Sequence, residues 1–242
     1  MVNTFGHDLP DIEIQVLNDI EDLTGCTLDL ASKDAPNKQN EYLWHDFAYQ
    51  VKDGHVIKLW IVPVDDADKE FLESLDREPA HPHLAPIETL PDSIGNLTSL
   101  QCLFLYHNNI TTLPESIGNL SSLERLELGK NKLATLPDSF GNISNLRYLE
   151  LQENELKTLP ESFSELSCLE TLQLYDNYLE NLPEAFGNLA SLKRLNLNRN
   201  KLTKLPDSIG NLSKLEKLEI LDNNIEMLPA SIGNLMDLKL IH

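Results

Sequence analysis

The sequence is short of cysteine, of aromatic residues and, above all, of positive charge. Its 242 residues include 3 Cys and 6% aromatic residues, and 19 Lys+Arg stand against 39 Asp+Glu, for a formal net charge of -20. Nucleic acids and anionic membrane surfaces are bound from clusters of Lys and Arg, so neither is an expected partner. Cys26, Cys102 and Cys168 are too few and too scattered for a disulfide framework or a metal cage, and read as small buried or half-buried thiols. No apolar run approaches the ~18 residues of a membrane span. Met1 to Leu9 has neither the basic start nor the apolar stretch of a signal peptide, which gives the expectation of a cytoplasmic protein. General disorder is excluded too, because 41% of the residues are apolar.

What the chain has in excess is Leu, 47 residues, and Asn, 22. Both recur on a fixed period. Leu-Pro occurs at Leu90-Pro91, Leu113-Pro114, Leu136-Pro137, Leu159-Pro160, Leu182-Pro183, Leu205-Pro206 and Leu228-Pro229, always 23 residues apart. Asn108, Asn131, Asn154, Asn177, Asn200 and Asn223 follow the same step. Around each Asn lies L-x-x-L-x-L-x-x-N-x-L, as in Leu123, Leu126, Leu128, Asn131 and Leu133. The other half of each unit reads L-P-[DE]-x-[IF]-G-N-[LI]-x-x-L.

This pattern resembles the leucine-rich repeat family in its 23-residue class, over residues 87 to 242. The physics of the residues agrees. The alternation x-L-x-L is that of a half-buried strand, with Leu126 and Leu128 inward and Glu127 and Gly129 outward. A unit this short cannot bury its own apolar face, so neighbours must stack into one continuous core. The expected fold is α/β: a curved horseshoe solenoid with a parallel β-sheet on the concave face and short helices or turns on the convex face. Some six full units and a truncated last strand fill residues 87–242.

The recurrent Asn reads as structural, since its amide offers both a donor and an acceptor to backbone groups stranded at the turn after each strand. The sequons at Asn96, Asn119, Asn142 and Asn211 fall in the convex segment and matter only in a secreted chain. Asp92, Glu115, Asp138, Glu161, Glu184 and Asp207 follow Leu-Pro, where a carboxylate meets the positive end of a helical turn; Ala230 is the exception. The Gly-Asn pairs suggest a turn that needs positive φ. Ser164-Glu165 replaces the pair once, so a local change is expected there.

Residues 1–86 lack the repeat and are expected to form an α+β cap. Pro10 to Leu23 has helical spacing with Gly25 as its stop. Tyr42 to Val51, Lys52-Asp53-Gly54 and His55 to Val62 read as a hairpin, whose second strand matches the inner half of a repeat strand and should join the sheet. Asp66 to Asp76 reads as a short helix and Glu78 to His83 as a bridge. By register, one repeat is lost or distorted between Ile61 and Ile87. The last strand starts at Leu238 and stops at His242, before its Asn. That leads to the expectation of a chain cut from something longer, or of an open end that meets a partner or a second copy.

Nothing points to catalysis. His81-Pro82-His83, His45-Asp46 and His7-Asp8 lack the companions of a metal site, and Asp65-Asp66-Ala67-Asp68 lacks the Gly and Glu of a calcium loop. Cys26 has no activating base nearby. No phosphate-loop, nucleophile-elbow or zinc-protease motif appears. No cofactor or metal is expected.

The outward columns of the strands remain, and folding does not explain their variety. The candidate partner-binding residues are Trp60, Phe104, Tyr106, Arg125, Glu127, Tyr148, Glu150, Gln173, Tyr175, Arg194 and Arg199, because aromatic and Arg side chains dominate interface energies. The family resemblance implies a protein-interaction scaffold. The expectation is therefore a non-catalytic module that binds a protein or peptide on its concave face. Two alternatives stand beside it. One is the recognition half of a larger effector, or of a GTPase-linked or ubiquitin-ligase-type enzyme. The other is a structural module that homodimerises through its C-terminal edge. The concave columns carry nearly equal numbers of acids and bases, so a mixed-charge, aromatic-anchored partner fits better than a purely basic one.

Overall fold

The x-L-x-L alternation resolves into one short strand per repeat. In the computed structural model, which describes residues 9–26, 28–30, 47–63, 85–236 and 238–241 (for 29 and 30 the backbone alone), these are β4 Cys102–Phe104, β5 Arg125–Glu127, β6 Tyr148–Glu150, β7 Thr171–Gln173, β8 Arg194–Asn196, β9 Lys217–Glu219 and β10 Lys239–Ile241. All run parallel, in a register that places Leu103, Leu126, Leu149, Leu172, Leu195, Leu218 and Leu240 side by side. Before them come β1 Asp29–Leu30, β2 Phe47–Lys52 and β3 His55–Ile61. Among the described residues the sheet has ten strands, in chain order.

The expected hairpin is β2–β3, antiparallel, turning at Asp53 (φ 52°) and Gly54 (φ 78°). Positive φ at both positions is the two-residue turn that matches strand twist, which is why Asp-Gly signals it. Residues 42–46 of its first expected strand lie outside the described residues. β3 continues into the repeat sheet, with Leu59 beside Leu103 and Trp60 beside Phe104. The apolar stripe of residues 10–23 forms α1, Asp11–Thr24, closed by Gly25 at φ 67° with its N–H donating to Glu21 O. Glu13, buried on α1, accepts from Val56 N and pairs with His55 Nδ1, both at 2.8 Å, which ties the helix to β3. The helix expected at Asp66–Asp76, the Glu78–His83 bridge, Asp65–Asp68 and the His pairs at 7, 45 and 81–83 lie outside the described residues.

The recurrent Asn forms a ladder. Asn131 donates from Nδ2 to Leu105 O (2.9 Å) and Leu128 O (3.0 Å), and its Oδ1 accepts from Ile110 N (3.0 Å). Asn154, Asn177, Asn200 and Asn223 repeat the arrangement. At the first rung Asn108 reaches back 47 residues to Ile61 O, where Asn131 reaches back 26 to Leu105 O. β3 pairs directly with β4, and residues 64–84 of the stretch expected to hold a lost or distorted repeat lie outside the described residues.

The convex segments are 3-10 turns rather than α-helices, for example Glu115–Asn119 and Asp138–Asn142, each preceded by its Pro with ψ near 150°. No acid in these turns caps its own helix; Glu115 instead accepts from Ser139 N of the next coil at 3.2 Å. The expectation of positive φ at the Gly-Asn glycines is wrong. Only Gly25 and Gly54 have positive φ among the described glycines. The repeat glycines are there for close approach: a Cβ on Gly95, Gly118, Gly141, Gly187 or Gly210 would lie 2.0–2.4 Å from the carbonyl oxygen of a Ser in the next coil. Where Ser164 replaces Gly, the next coil carries Ala185 in place of that Ser and its turn shrinks to Phe186–Asn188, which is the local change the sequence signals.

One apolar core runs from Leu9 to Leu235. Phe140, Phe163 and Phe186 take the place of Ile in three successive coils and stack at 6.0 and 6.4 Å. The core thins at the last coil. Ile225, Leu228, Ile232, Leu238 and Leu240 are only partly buried, and Met227 and Met236 are 81% and 91% exposed.

Candidate binding surface

The strand register reproduces the outward columns read from the sequence. Cys102, Arg125, Tyr148, Thr171, Arg194 and Lys217 stand in one row, and Phe104, Glu127, Glu150, Gln173, Asn196 and Glu219 in the next. Their accessibility differs sharply along the solenoid.

At the N-terminal end the expected anchors are not exposed. Trp60 and Phe104 are each 1% exposed, stacked at 5.1 Å and enclosed in a small apolar cluster with Ala48 and Val62, apart from the main core. A sheet residue's parity fixes the face it points to, not what lies over that face. Cys102 and the half-buried Tyr106 pack against the same cluster. Glu127 is buried as well, at 3% exposure. It holds the Arg125 guanidinium at 2.6 Å, and that guanidinium lies over the Tyr148 ring at 4.1 Å and near the Phe104 ring at 5.9 Å. Burial works against the Arg125 charge, but Glu127 and its hydrogen bond outweigh it and hold the guanidinium pKa above its usual value. Trp60, Phe104, Arg125 and Tyr148 therefore form one continuous stack of rings and guanidinium.

The middle of the face is half-buried. The Tyr148 hydroxyl donates to Glu150, which also accepts from Gln152 Nε2 at 3.1 Å. Burial, then Glu150, raises the Tyr148 pKa, and burial followed by Glu153, Tyr106, Glu150 and Asp176 pushes Tyr175 up to about 12. Both phenols are raised in the folded state. The stability they contribute is full below the ordinary tyrosine value of 10.0 and is lost as pH climbs toward 12. An alkaline titration that follows phenolate absorbance together with circular dichroism should show Tyr175 ionising only as the fold is lost. Ionisation of all tyrosines near 10 in a still-folded chain would contradict it.

The C-terminal half is open. Tyr175, Asp176, Asn196, Asn198, Arg199, Leu221 and Asp222 line a concavity of about 220 Å³. Gln173 and Glu150 are half-buried, and Arg194 and Arg199 are exposed. Arg199 reaches Asp176 at 3.3 Å and Asp222 at 3.7 Å. The sequence gives no sign of one further feature. His107, Lys130, Glu153, Asp176, Arg199 and Asp222, each just before a ladder Asn, all have φ between 52° and 60°. Residue type varies freely there, so nothing marks the left-handed turn that aims these side chains along the rim. Among the described residues no cluster of His, Cys, Asp and Glu could hold a metal ion, and no helix is long and apolar enough to cross a membrane.

Comparison with known proteins meets this geometry directly. Family models for a leucine-rich repeat region, for paired leucine-rich repeats and for a single leucine-rich repeat match residues 137–201, 98–141 and 191–212. The chain is a leucine-rich repeat protein. Among solved structures, this leucine-rich repeat chain is similar to a leucine-rich repeat protein of Leptospira interrogans, with 28% identity and a TM-score of 0.65 over 94% of this chain and 62% of that one. It is also similar to a plant peptide hormone receptor, RGFR1, in complex with RGF2, with 27% identity and a TM-score of 0.55 over 63% of this chain and 29% of that one. The chain thus spans less than two thirds of the length of either. No curated protein matches it.

Proposed function

We propose that this leucine-rich repeat protein is a non-catalytic interaction scaffold that holds a protein or peptide partner on its concave face, at β7 to β9. Membership of a family of interaction scaffolds supports the class of function. One observation carries the location: packing and the Asn ladder account for the inward residues, while Tyr175, Arg194 and Arg199 line open surface whose side chains the fold does not require. Trp60, Phe104 and Glu127 are buried on β3 to β5 and take no part in that surface. The three free thiols are compatible with a reducing compartment, and the cytoplasm is our proposal for it.

The test is affinity capture from host lysate with wild type and a Tyr175→Ala, Arg194→Ala, Arg199→Ala variant whose thermal unfolding matches wild type. Loss of a reproducible partner in the variant supports the reading, and undiminished recovery refutes it. A second reading draws on the shares of 62% and 29%: the module is the recognition part of a larger protein. A third draws on the exposed Met227 and Met236 beside β10: self-association through that edge. Sedimentation at high concentration decides the third, since a monomer there rules it out.

A further inference from the structure

Three features of the concave face from β7 to β10 point to one ligand chemistry. The first is a row of like charges. Arg194, Lys217 and Lys239 are direct neighbours in register on adjacent strands. Strands lie about 4.8 Å apart, and like charges placed so are destabilising for the sheet itself. Among the described residues only Lys217 has an acid partner, Glu219 at 2.8 Å. The second is the opposite rim, where Asp176 and Asp222 flank Arg199 and leave that side acidic. The third is the floor between them. Asn198 Oδ1 is taken by Leu221 N at 2.7 Å and Asn196 Oδ1 by Asn198 N at 3.1 Å. Both carboxamide nitrogens, which have no protein acceptor among the described residues, are left to the concavity, with Tyr175 and Leu221 as its apolar walls.

Amide donors on a floor suit main-chain carbonyls. Two walls of opposite sign suit side chains that alternate, as those of an extended chain do with a period of two. A polyanion would meet the basic row but also the field of a chain with net charge -20. A polycation would meet Arg194, Lys217 and Lys239. We propose that this half of the concave face binds an extended peptide segment of alternating charge. Its acidic residues lie against Arg194, Lys217 and Lys239, its basic residues against Asp176 and Asp222, and its carbonyls over Asn196 and Asn198. This rests on the concave-face reading above and specifies its partner.

The probe is a fluorescein-labelled short peptide of strictly alternating Glu and Lys, measured by anisotropy at low salt against the full chain. A block peptide of the same composition, a poly-Lys peptide and a poly-Glu peptide serve as comparisons. The alternating peptide should bind at least roughly tenfold more tightly than the block peptide. An Asn196→Ala, Asn198→Ala variant should lose about tenfold for the alternating peptide. An Arg194→Glu, Lys217→Glu variant, with circular dichroism unchanged, should now prefer the poly-Lys peptide. Equal binding of alternating and block peptides, no binding of any peptide, or no change of preference in the charge-reversed variant overturns the proposal. These results separate it from the broader reading. If lysate capture still depends on Tyr175, Arg194 and Arg199 while the peptides show no discrimination, the concave face binds a partner of other chemistry.

Discussion

Asn154→Ala is expected to lower the unfolding free energy by about 3–5 kcal/mol, since each buried polar group left unpaired costs roughly 1–3 kcal/mol. One side chain serves three such groups: Nδ2 donates to Leu128 O at 2.9 Å and Leu151 O at 3.1 Å, and Oδ1 accepts from Leu133 N at 3.0 Å. The groups belong to adjacent coils, so the loss falls on an interface between repeats, where a solenoid keeps much of its stability. Asn223→Ala is the internal control. It removes the same three bonds, to Leu197 O, Ile220 O and Leu202 N, at a half-buried position near the end of the ladder. Water reaches those groups, and the expected loss is about 1 kcal/mol. Urea unfolding of both variants reads the difference. Equal, small losses at the two positions would show that the ladder is not a main source of cohesion.

The same ladder shows why so much of this fold is legible in the sequence. A solenoid makes each structural demand once per coil, and the demand appears as a residue type at a fixed period. Leu at the inward strand positions, Asn at the turn and Pro before the convex turn are all readable for that reason. The hairpin and α1 are readable for a different one: Asp53-Gly54 and Gly25 sit where the backbone needs positive φ. What the sequence does not reveal is what each residue meets. Gly141 is visible as a recurrent letter of the repeat, but its cause is the carbonyl of Ser162 in the next coil, not its own φ. The left-handed turns at Lys130 and Glu153 leave no trace at all, because the residue type at that step varies among His, Lys, Glu, Asp and Arg.

The candidate site was legible by column and not by depth. Alternation puts Trp60, Phe104 and Glu127 on the concave face, and they are there. It does not report that the first two stack at 5.1 Å in a closed apolar cluster, or that Glu127 is spent on Arg125. Several concave charges pair within the face: Arg125 with Glu127 and Lys217 with Glu219, while Arg199 is shared by Asp176 and Asp222 and leaves one acid in excess. A near balance of acids and bases, counted from the sequence, therefore overstates the charge available to a partner. The accessible remainder is concentrated toward β8 and β9, with Arg194 the cation there that no acid among the described residues engages. That shift moves the expected contact from the aromatic N-terminal end to the polar C-terminal half.

Gly187→Ala is expected to destabilise the chain by about 3 kcal/mol or more, the upper range for an overpacked contact that cannot relax. The new Cβ would lie 2.0 Å from Ser208 O, 2.7 Å from its carbonyl carbon and 2.9 Å from its Cβ. The atoms struck are mainly backbone, so no rotamer change clears them, and the two coils must separate. The chain records what a side chain at this position requires. Beside Ser164 the next coil has Ala185 and a turn cut to three residues, and among the described residues the Ser164 hydroxyl is buried without a hydrogen-bond partner. Gly233→Ala gives the opposite result. Nothing lies within 4 Å of a Cβ there and its φ is not positive, so the substitution strains nothing. It also narrows the unfolded ensemble, for a gain of about 0.4–1 kcal/mol where the residue is helical in the fold. Thermal unfolding of the two variants should therefore move in opposite directions. A Gly187→Ala midpoint at or above wild type would show that neighbouring coils are not in the contact these distances describe.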